Sequence, residues 1–321
     1  MLQHESYFET YDGTKLYLYR WSPQEGLPKA ALHIVHGMAE HALRYRHLAE
    51  KLTDAGIEVW AADQRGHGKT ADLNVNKPDS GGILGHCADG DGFTRVTADI
   101  RSINKEIKKT RNIPLFLLGH SWGSFISQNY IEYYNPDNSN DLLINGCILS
   151  GTKGPGDFMV KAGVPIMTMI AVLRGQRKGS RLAKGLADGS YAKAYKKSRT
   201  PFDWLSRDEK EVDKYAEDPL CGFLCSSGFY RDLAKLLYNI HRHDAMARID
   251  RSLSVYVFSG SADPVGEMGK SATALVNAYR NLGITDCEFV LYPGARHETL
   301  NETNREEVID NLLAWINKRC E

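Results

Sequence analysis

The chain has 321 residues, 42% of them hydrophobic and 25% charged, the proportions of an ordinary folded protein with enough apolar content for a sizeable core. Forty Lys and Arg balance forty Asp and Glu, so no global field draws in nucleic acid or an anionic membrane, and any membrane contact has to be local. The opening stretch MLQHESYFET has neither the basic nor the apolar region of a secretory signal, which makes the cytoplasm the default expectation.

Seven short apolar or β-branched runs read as strands: 15–21, 30–37, 57–64, 115–121, 145–151, 253–260 and 287–294. Several are apolar at consecutive positions, as in a parallel sheet covered on both faces. Between them Phe93, Val96, Ile100, Ile103 and Ile107 keep a helical stripe, and Val308, Leu312, Trp315 and Ile316 keep another near the C-terminus. Asn304, with Glu307 three residues on, is placed to start that last helix. Strands alternating with helices predict an α/β fold with a mostly parallel sheet and helices on both faces.

The alternation breaks from 152 to 251, where no strand is evident. There FMVKAGVPIMTMIAVL (158–173) is interrupted by Lys161, Gly163 and Pro165 and is shorter than the roughly 20 apolar residues a membrane span needs. The basic RGQRKGSR (174–181) follows. We read 152–251 as an inserted helical lid on an α/β core made of 1–151 and 252–321. An apolar run beside a basic cluster suits either a transient contact of 158–181 with a membrane or micelle, or the packing of an amphipathic lid helix. Nothing in the pattern sets an oligomeric state.

The six cysteines are scattered through a chain too large to need disulfide staples, and reduced thiols are expected. Only Cys221 and Cys225 lie close together. His241 and His243 are the only histidines even distantly within reach, which is too few ligands for a zinc site, so no metal is expected.

Residues 119–124 read GHSWGS directly after the apolar run LFLL. A serine hydroxyl is a weak nucleophile and must be presented to a base in a set geometry. A strand-to-helix turn does this by holding the serine in a strained conformation, and the flanking positions must then be small, as Gly119 and Gly123 are. With 29 glycines in the chain the pattern alone is weak evidence. The strand before it and the helix expected over 122–134 supply the context that the chemistry requires.

The reaction also needs an acid and then a histidine, in that chain order. Downstream of Ser121 stand only His241, His243 and His297, and His297, in YPGARHE after the last strand-like run, is the expected base. Asp263, in GSADPVG after the strand before it, is the expected acid; Glu298, adjacent to His297, would point away. The backbone N–H of Trp122, at a helix N-terminus, is one expected oxyanion donor. The second is Met38, in HIVHGMAEH (33–41), where His36 and Gly37 shape the turn.

HGMAEHALRYRHLAEKLTDAG (36–56), DQRGHGKT (63–70), GHSWGS, GSADP and SRDEKEVDKYAEDPL (206–220) together resemble the monoacylglycerol lipase and lysophospholipase group of α/β-hydrolases. That group is itself similar to the serine aminopeptidase family that includes prolyl aminopeptidases. The resemblance covers nearly the whole chain and is weakest over 152–200. It implies the same triad, Ser121, Asp263 and His297, and the same donors, Met38 and Trp122.

It further implies a serine ester hydrolase that needs no cofactor and acts through an acyl-enzyme on a single-acyl lipid ester, monoacylglycerol or lysophospholipid. Trp122 stands where the family more often has Met, and Ser124 where Gly is common, so the indole is expected to narrow the acyl pocket. Leu300 occupies a position where some members have a second histidine that helps to hold glycerol. Glu40 and Arg44 have two readings, contact with a head group or an ion pair at i,i+4 spacing. Arg65 to Gly68 read as scaffold.

Two rival readings remain. A proline-type aminopeptidase would need lid carboxylates for the substrate ammonium, whereas the early lid is apolar and then basic. A hydrolase-fold binding protein usually lacks a triad member, and here each has a candidate.

Overall fold

The computed structural model describes residues 1–320 except 135–141, 157, 188, 190, 192–193 and 196–197. In chain order the elements are β1 (Leu2–Glu9), β2 (Lys15–Ser22), β3 (Ala30–Val35), α1 (Arg46–Asp54), β4 (Ile57–Ala62), α2 (Gly68–Leu73), α3 (Gly92–Thr110), β5 (Leu115–His120), α4 (Trp122–Tyr133), β6 (Gly146–Ser150), α5 (Phe158–Arg174), α6 (Arg181–Ala187), α7 (Glu209–Glu217), α8 (Ser227–Asn239), α9 (His243–Met246), β7 (Ser254–Gly260), α10 (Lys270–Asn281), β8 (Cys287–Tyr292) and α11 (Arg305–Asn317).

The strands form one eight-stranded sheet in the order β1-β2-β4-β3-β5-β6-β7-β8. β1 and β2 run antiparallel to their neighbours, and every pairing from β4 to β8 is parallel. The α/β class expected from the sequence is the one observed. All seven expected strands are present, most of them ending one or two residues earlier than read.

β1 was not legible in the sequence. LQHESYFE is exposed at nearly every position, so no buried face imposes a period-two pattern on it.

The fully buried β5 divides its side chains between two cores, since successive residues point to opposite faces. Leu115 and Leu117 join the cluster under α3, α4, α8 and α10. Phe116 and Leu118 join the one under α1 and α11. Arg65, wholly buried, is held by Asp99 at 2.6 Å and Asp12 at 2.7 Å, and His67 Nδ1 donates to the Arg65 carbonyl at 2.9 Å. These residues are scaffold, as expected.

Between β6 and β7 the described chain is helical, α5 to α9, inserted between two neighbouring strands of the sheet. Lys161, Gly163 and Pro165 break the apolar run in sequence but not the helix, since α5 continues through all three and packs along α8. At the start of α11 Asn304 is the N-cap residue without capping a backbone N–H; its amide bonds the Glu307 carboxylate instead, at 2.9 Å. Among the described residues no helix is long and apolar enough to cross a membrane.

Candidate active site

The loops that leave the carboxyl ends of β3, β5, β7 and β8 meet over one edge of the sheet, where an open α/β sheet forms its ligand crevice. Ser121 sits between β5 and α4 with φ 52° and ψ −121°, a region that non-glycine residues seldom enter and that is typical of strained functional turns. Its N–H is fixed to the Ser150 carbonyl at 2.9 Å. A Cβ on Gly119 would lie 2.4 Å from the Gly123 carbonyl oxygen and the Ser127 hydroxyl, and one on Gly123 would lie 2.1 Å from the Val35 carbonyl oxygen. Backbone approaching this closely explains why both positions are glycine.

The loop after β3 abuts the serine, for a Cβ on Gly37 would stand 3.2 Å from Ser121 Cβ. His36 shapes that loop. It accepts the Gln64 N–H through Nε2 at 2.9 Å, so Nδ1 carries the proton and donates to the Gly37 carbonyl at 2.8 Å. Burial lowers its pKa to about 3, which keeps the ring neutral. Among the described residues neither the Met38 N–H nor the Trp122 N–H has a hydrogen-bond partner; both stand beside Ser121.

His297 lies in the loop after β8, only 2% exposed. Its Nδ1 donates to both oxygens of Asp263 at 3.0 Å, which leaves Nε2 as the free acceptor. Asp263 is fully buried, and its Oδ1 is fixed by the Val265 N–H at 2.8 Å. Burial pulls the imidazole pKa down. The Asp263 carboxylate, with Glu298 and Glu40 behind it, outweighs burial and raises the pKa above the ordinary histidine value.

His120 packs on this ring at 4.9 Å, and Trp204 packs on it at 5.1 Å. Burial and the neighbouring His297 lower His120 to about 4. Among the described residues no hydrogen bond joins the Ser121 hydroxyl to His297; both face one cavity, and in ligand-free enzymes such contacts are often long.

That cavity has a volume of about 470 Å³ and is walled by Met38, Phe202, Trp204, Leu205, Tyr215, Phe223 and Tyr230, with Arg181 and Lys184 of α6 at the lid side. The size and the apolar lining suit a small-molecule site. Trp122 does not line it, contrary to expectation. The indole is 1% exposed, stacks on His67 at 5.1 Å and 20°, and contacts Phe93 and Phe229. It fills the core behind the serine and leaves the pocket width unchanged.

Of the two readings of Glu40 and Arg44, the ion pair is formed. Arg44 bonds Glu40 and, through two nitrogens at 2.8 and 2.7 Å, Glu298. Glu40 also accepts the Gly37 N–H at 2.5 Å and the Tyr45 hydroxyl at 3.0 Å. Burial alone would raise the Glu298 carboxyl; Arg44 beside it holds the group well below the usual range. Glu298 turns away from the His297 imidazole, as expected, and its bridge to Arg44 left no mark in the sequence.

All six cysteines are free. His241 bonds the Lys153 carbonyl, and the groups beside Cys221 are His41 and Asp218, which satisfy each other at 2.9 Å.

Residues 26–304 match the model of a family described as serine aminopeptidase, S33. A monoglyceride lipase of Mus musculus is 28% identical over 316 residues, covering 96% of this chain and 88% of that protein. A monoacylglycerol lipase of Mycolicibacterium smegmatis is 25% identical over 312 residues, covering 97% and 96%. Among solved structures, a thermostable carboxyl esterase from Bacillus coagulans in complex with glycerol superposes over the whole of both chains with a TM-score of 0.87 and 25% identity. A soluble variant of the Saccharomyces cerevisiae monoglyceride lipase in complex with a substrate analog, 22% identical, shares the fold with a TM-score of 0.73 over 99% of this chain and 96% of that one.

Proposed function

The chain belongs to the serine aminopeptidase S33 family and, like its lipase and esterase relatives, is a hydrolase of the carboxylic ester type, and from that premise we propose that it releases fatty acid from a single-acyl lipid ester, monoacylglycerol or lysophospholipid, through an acyl-enzyme on Ser121. The observation that carries this reading is Ser121, held at a strained turn and facing an apolar-walled cavity together with His297, whose Nδ1 is held from behind by the buried Asp263.

In this mechanism His297 Nε2 takes the hydroxyl proton as Ser121 attacks the ester carbonyl, and then gives it to the leaving alcohol. Asp263 holds the imidazole in the right tautomer and stabilises its charged form. The N–H groups of Met38 and Trp122 receive the developing oxyanion, each worth about 2.7 to 4 kcal/mol. Water then enters by the same base to free the acid. No step calls on a metal or an organic cofactor.

Among the described residues the charged lid groups at the cavity are cationic, Arg181 and Lys184, and the carboxylates of Glu40 and Glu298 are already bound by Arg44. Among the described residues no carboxylate is left to receive a substrate ammonium, which favours the lipid ester over an aminopeptidase substrate. Fatty-acid release from monoacylglycerol and from lysophosphatidylcholine of equal acyl length tests the reading. Turnover of either supports it, their ratio identifies the head group, and turnover of neither removes it.

We further propose that 152–251 acts as the lid over this site, and that the protein works from the cytoplasm and docks transiently on a lipid surface through 158–181. Ile166, Met169, Val172 and Leu173 are exposed on α5, and Leu182 and Leu186 are exposed on α6, whereas Met167 and Ile170 turn inward. Arg174, Lys178 and Arg181 are exposed beside them, the pairing of apolar and basic residues that anionic interfaces bind. Replacing Ile166, Met169 and Leu173 together by Ser is expected to lower kcat/KM on vesicle-borne monoacylglycerol by about tenfold or more. A short soluble ester should be spared. Equal loss on both substrates would assign the face to lid packing.

A further inference from the structure

Resting on the hydrolase reading above, we propose that lid residues 203–207 hold the loop bearing His297 in its working position, with Arg207 and Glu302 as positioning residues for the imidazole. The core secures that loop at its start, through the Ala262 N–H to the Ala295 carbonyl at 2.9 Å. From Arg296 onward its backbone is held largely from the lid, while the core adds Arg44 at the Glu298 carboxylate and His47 at the Leu300 carbonyl at 3.0 Å. The His297 N–H donates to the Trp204 carbonyl at 3.4 Å and the Glu298 N–H to the Leu205 carbonyl at 2.7 Å. The Ser206 hydroxyl donates to the Asn301 carbonyl at 2.8 Å. The Arg296 guanidinium donates to the carbonyls of Ser206, at 3.0 Å, and Asp203.

Glu302 ties the two segments together. It is fully buried, and its Oε1 accepts the N–H of Arg207 at 3.0 Å and that of Arg296, the residue before the base, at 2.8 Å. Its Oε2 accepts Arg207 Nε at 2.8 Å and the Thr303 N–H at 2.9 Å. Arg207 reaches on to Asn304 Oδ1 at 2.9 Å. One carboxylate thus fastens the lid to the backbone on which the imidazole hangs, and the same lid stretch lays the Trp204 ring against that imidazole. Where the reacting groups sit is then set in part by the lid, and a misplacement of about 1 Å is enough to cost about a hundredfold in rate.

The test uses the full chain with a short soluble ester, and counts active sites by titration so that misfolded protein is not scored. Arg207→Ala and Glu302→Gln are each expected to lower kcat per site by about tenfold to a hundredfold and to leave KM nearly unchanged. The double variant should be no worse than the worse single one. Arg207→Lys should recover part of the loss, since an ammonium still reaches one carboxylate oxygen.

The acid limb of kcat/KM should move to lower pH. The groups facing His297 are Asp263, Glu298, Glu40 and His120, and a slipped loop forfeits first the contact with Asp263. Unchanged kcat per site with an unmoved acid limb, even alongside a lower melting temperature, would overturn the proposal; so would fully additive losses. If Glu302→Gln does not fold, the partly exposed Arg207 carries the test through its two substitutions. Failure of the wild-type chain to turn over any ester is a separate result, which removes the hydrolase reading itself.

Discussion

Ser121→Ala is expected to lower kcat by about a millionfold, the scale on which serine hydrolases lose their nucleophile. Among the described residues the hydroxyl makes no hydrogen bond, and the residue is held by its backbone, through its N–H to the Ser150 carbonyl. Alanine meets the positive φ no worse than serine does, so the melting temperature should stay close to that of the wild type. A fluorophosphonate should label the wild-type chain once and the variant not at all. A small residual turnover is compatible with this, because the Met38 and Trp122 N–H groups and the cavity survive the substitution. Persisting label would mean that another residue is the nucleophile and that the turn at 119–123 serves something else.

The second large effect is that of Asp263→Asn, for which about a ten-thousandfold loss in kcat is expected. Asp263 receives the His297 Nδ1 proton while the Val265 N–H fixes its Oδ1 at 2.8 Å. An asparagine there keeps its oxygen toward Val265 and turns its amide nitrogen, a donor, toward His297. The imidazole must then accept at Nδ1 and carry its proton on Nε2, where it can no longer take one from Ser121.

The charge is lost as well. With Asp263 ionised the imidazole pKa lies above the ordinary value despite burial; without it, burial dominates and the pKa falls. Wild-type kcat/KM should therefore drop as pH falls through a value above the ordinary histidine range, about 6.5, and in the variant whatever activity remains should persist to lower pH. A variant within tenfold of wild type, with the same acid limb, would dismiss Asp263 as the orienting acid.

What the sequence revealed and what it withheld divide along physical lines. GHSWGS was legible because every requirement of the turn is local: an apolar strand before it, small residues on either side of the serine, and a helix after. His297 and Asp263 were legible because chain order and strand ends leave few candidates. β1 was hidden because an edge strand exposed on both faces carries no hydrophobic period.

The place of the Trp122 indole was not legible in the sequence, because adjacency to the serine does not put a side chain in the pocket. Successive residues project in different directions as the helix begins, and the side chain turns to His67 and Phe93. Glu298 and Glu302 gave no signal, because the partners that explain them, Arg44 and Arg207, lie far away along the chain. The apolar wall from Phe202 to Tyr230 was invisible for the same reason, since a lid faces its cavity through tertiary packing and not through any motif.

The segment between β6 and β7 also bears on which bond is cut, as its described cavity-facing charges, Arg181 and Lys184, are cations while most of the wall is apolar. The most direct measurement is kcat/KM of the purified chain for a monoacylglycerol and for a prolyl nitroanilide, with Ser121→Ala beside it. The account predicts serine-dependent release of fatty acid and little or no turnover of the anilide. Serine-dependent cleavage of the anilide alone would contradict it, and would mean that the site reads a substrate ammonium that the arrangement of Arg44, Arg181 and Lys184 argues against.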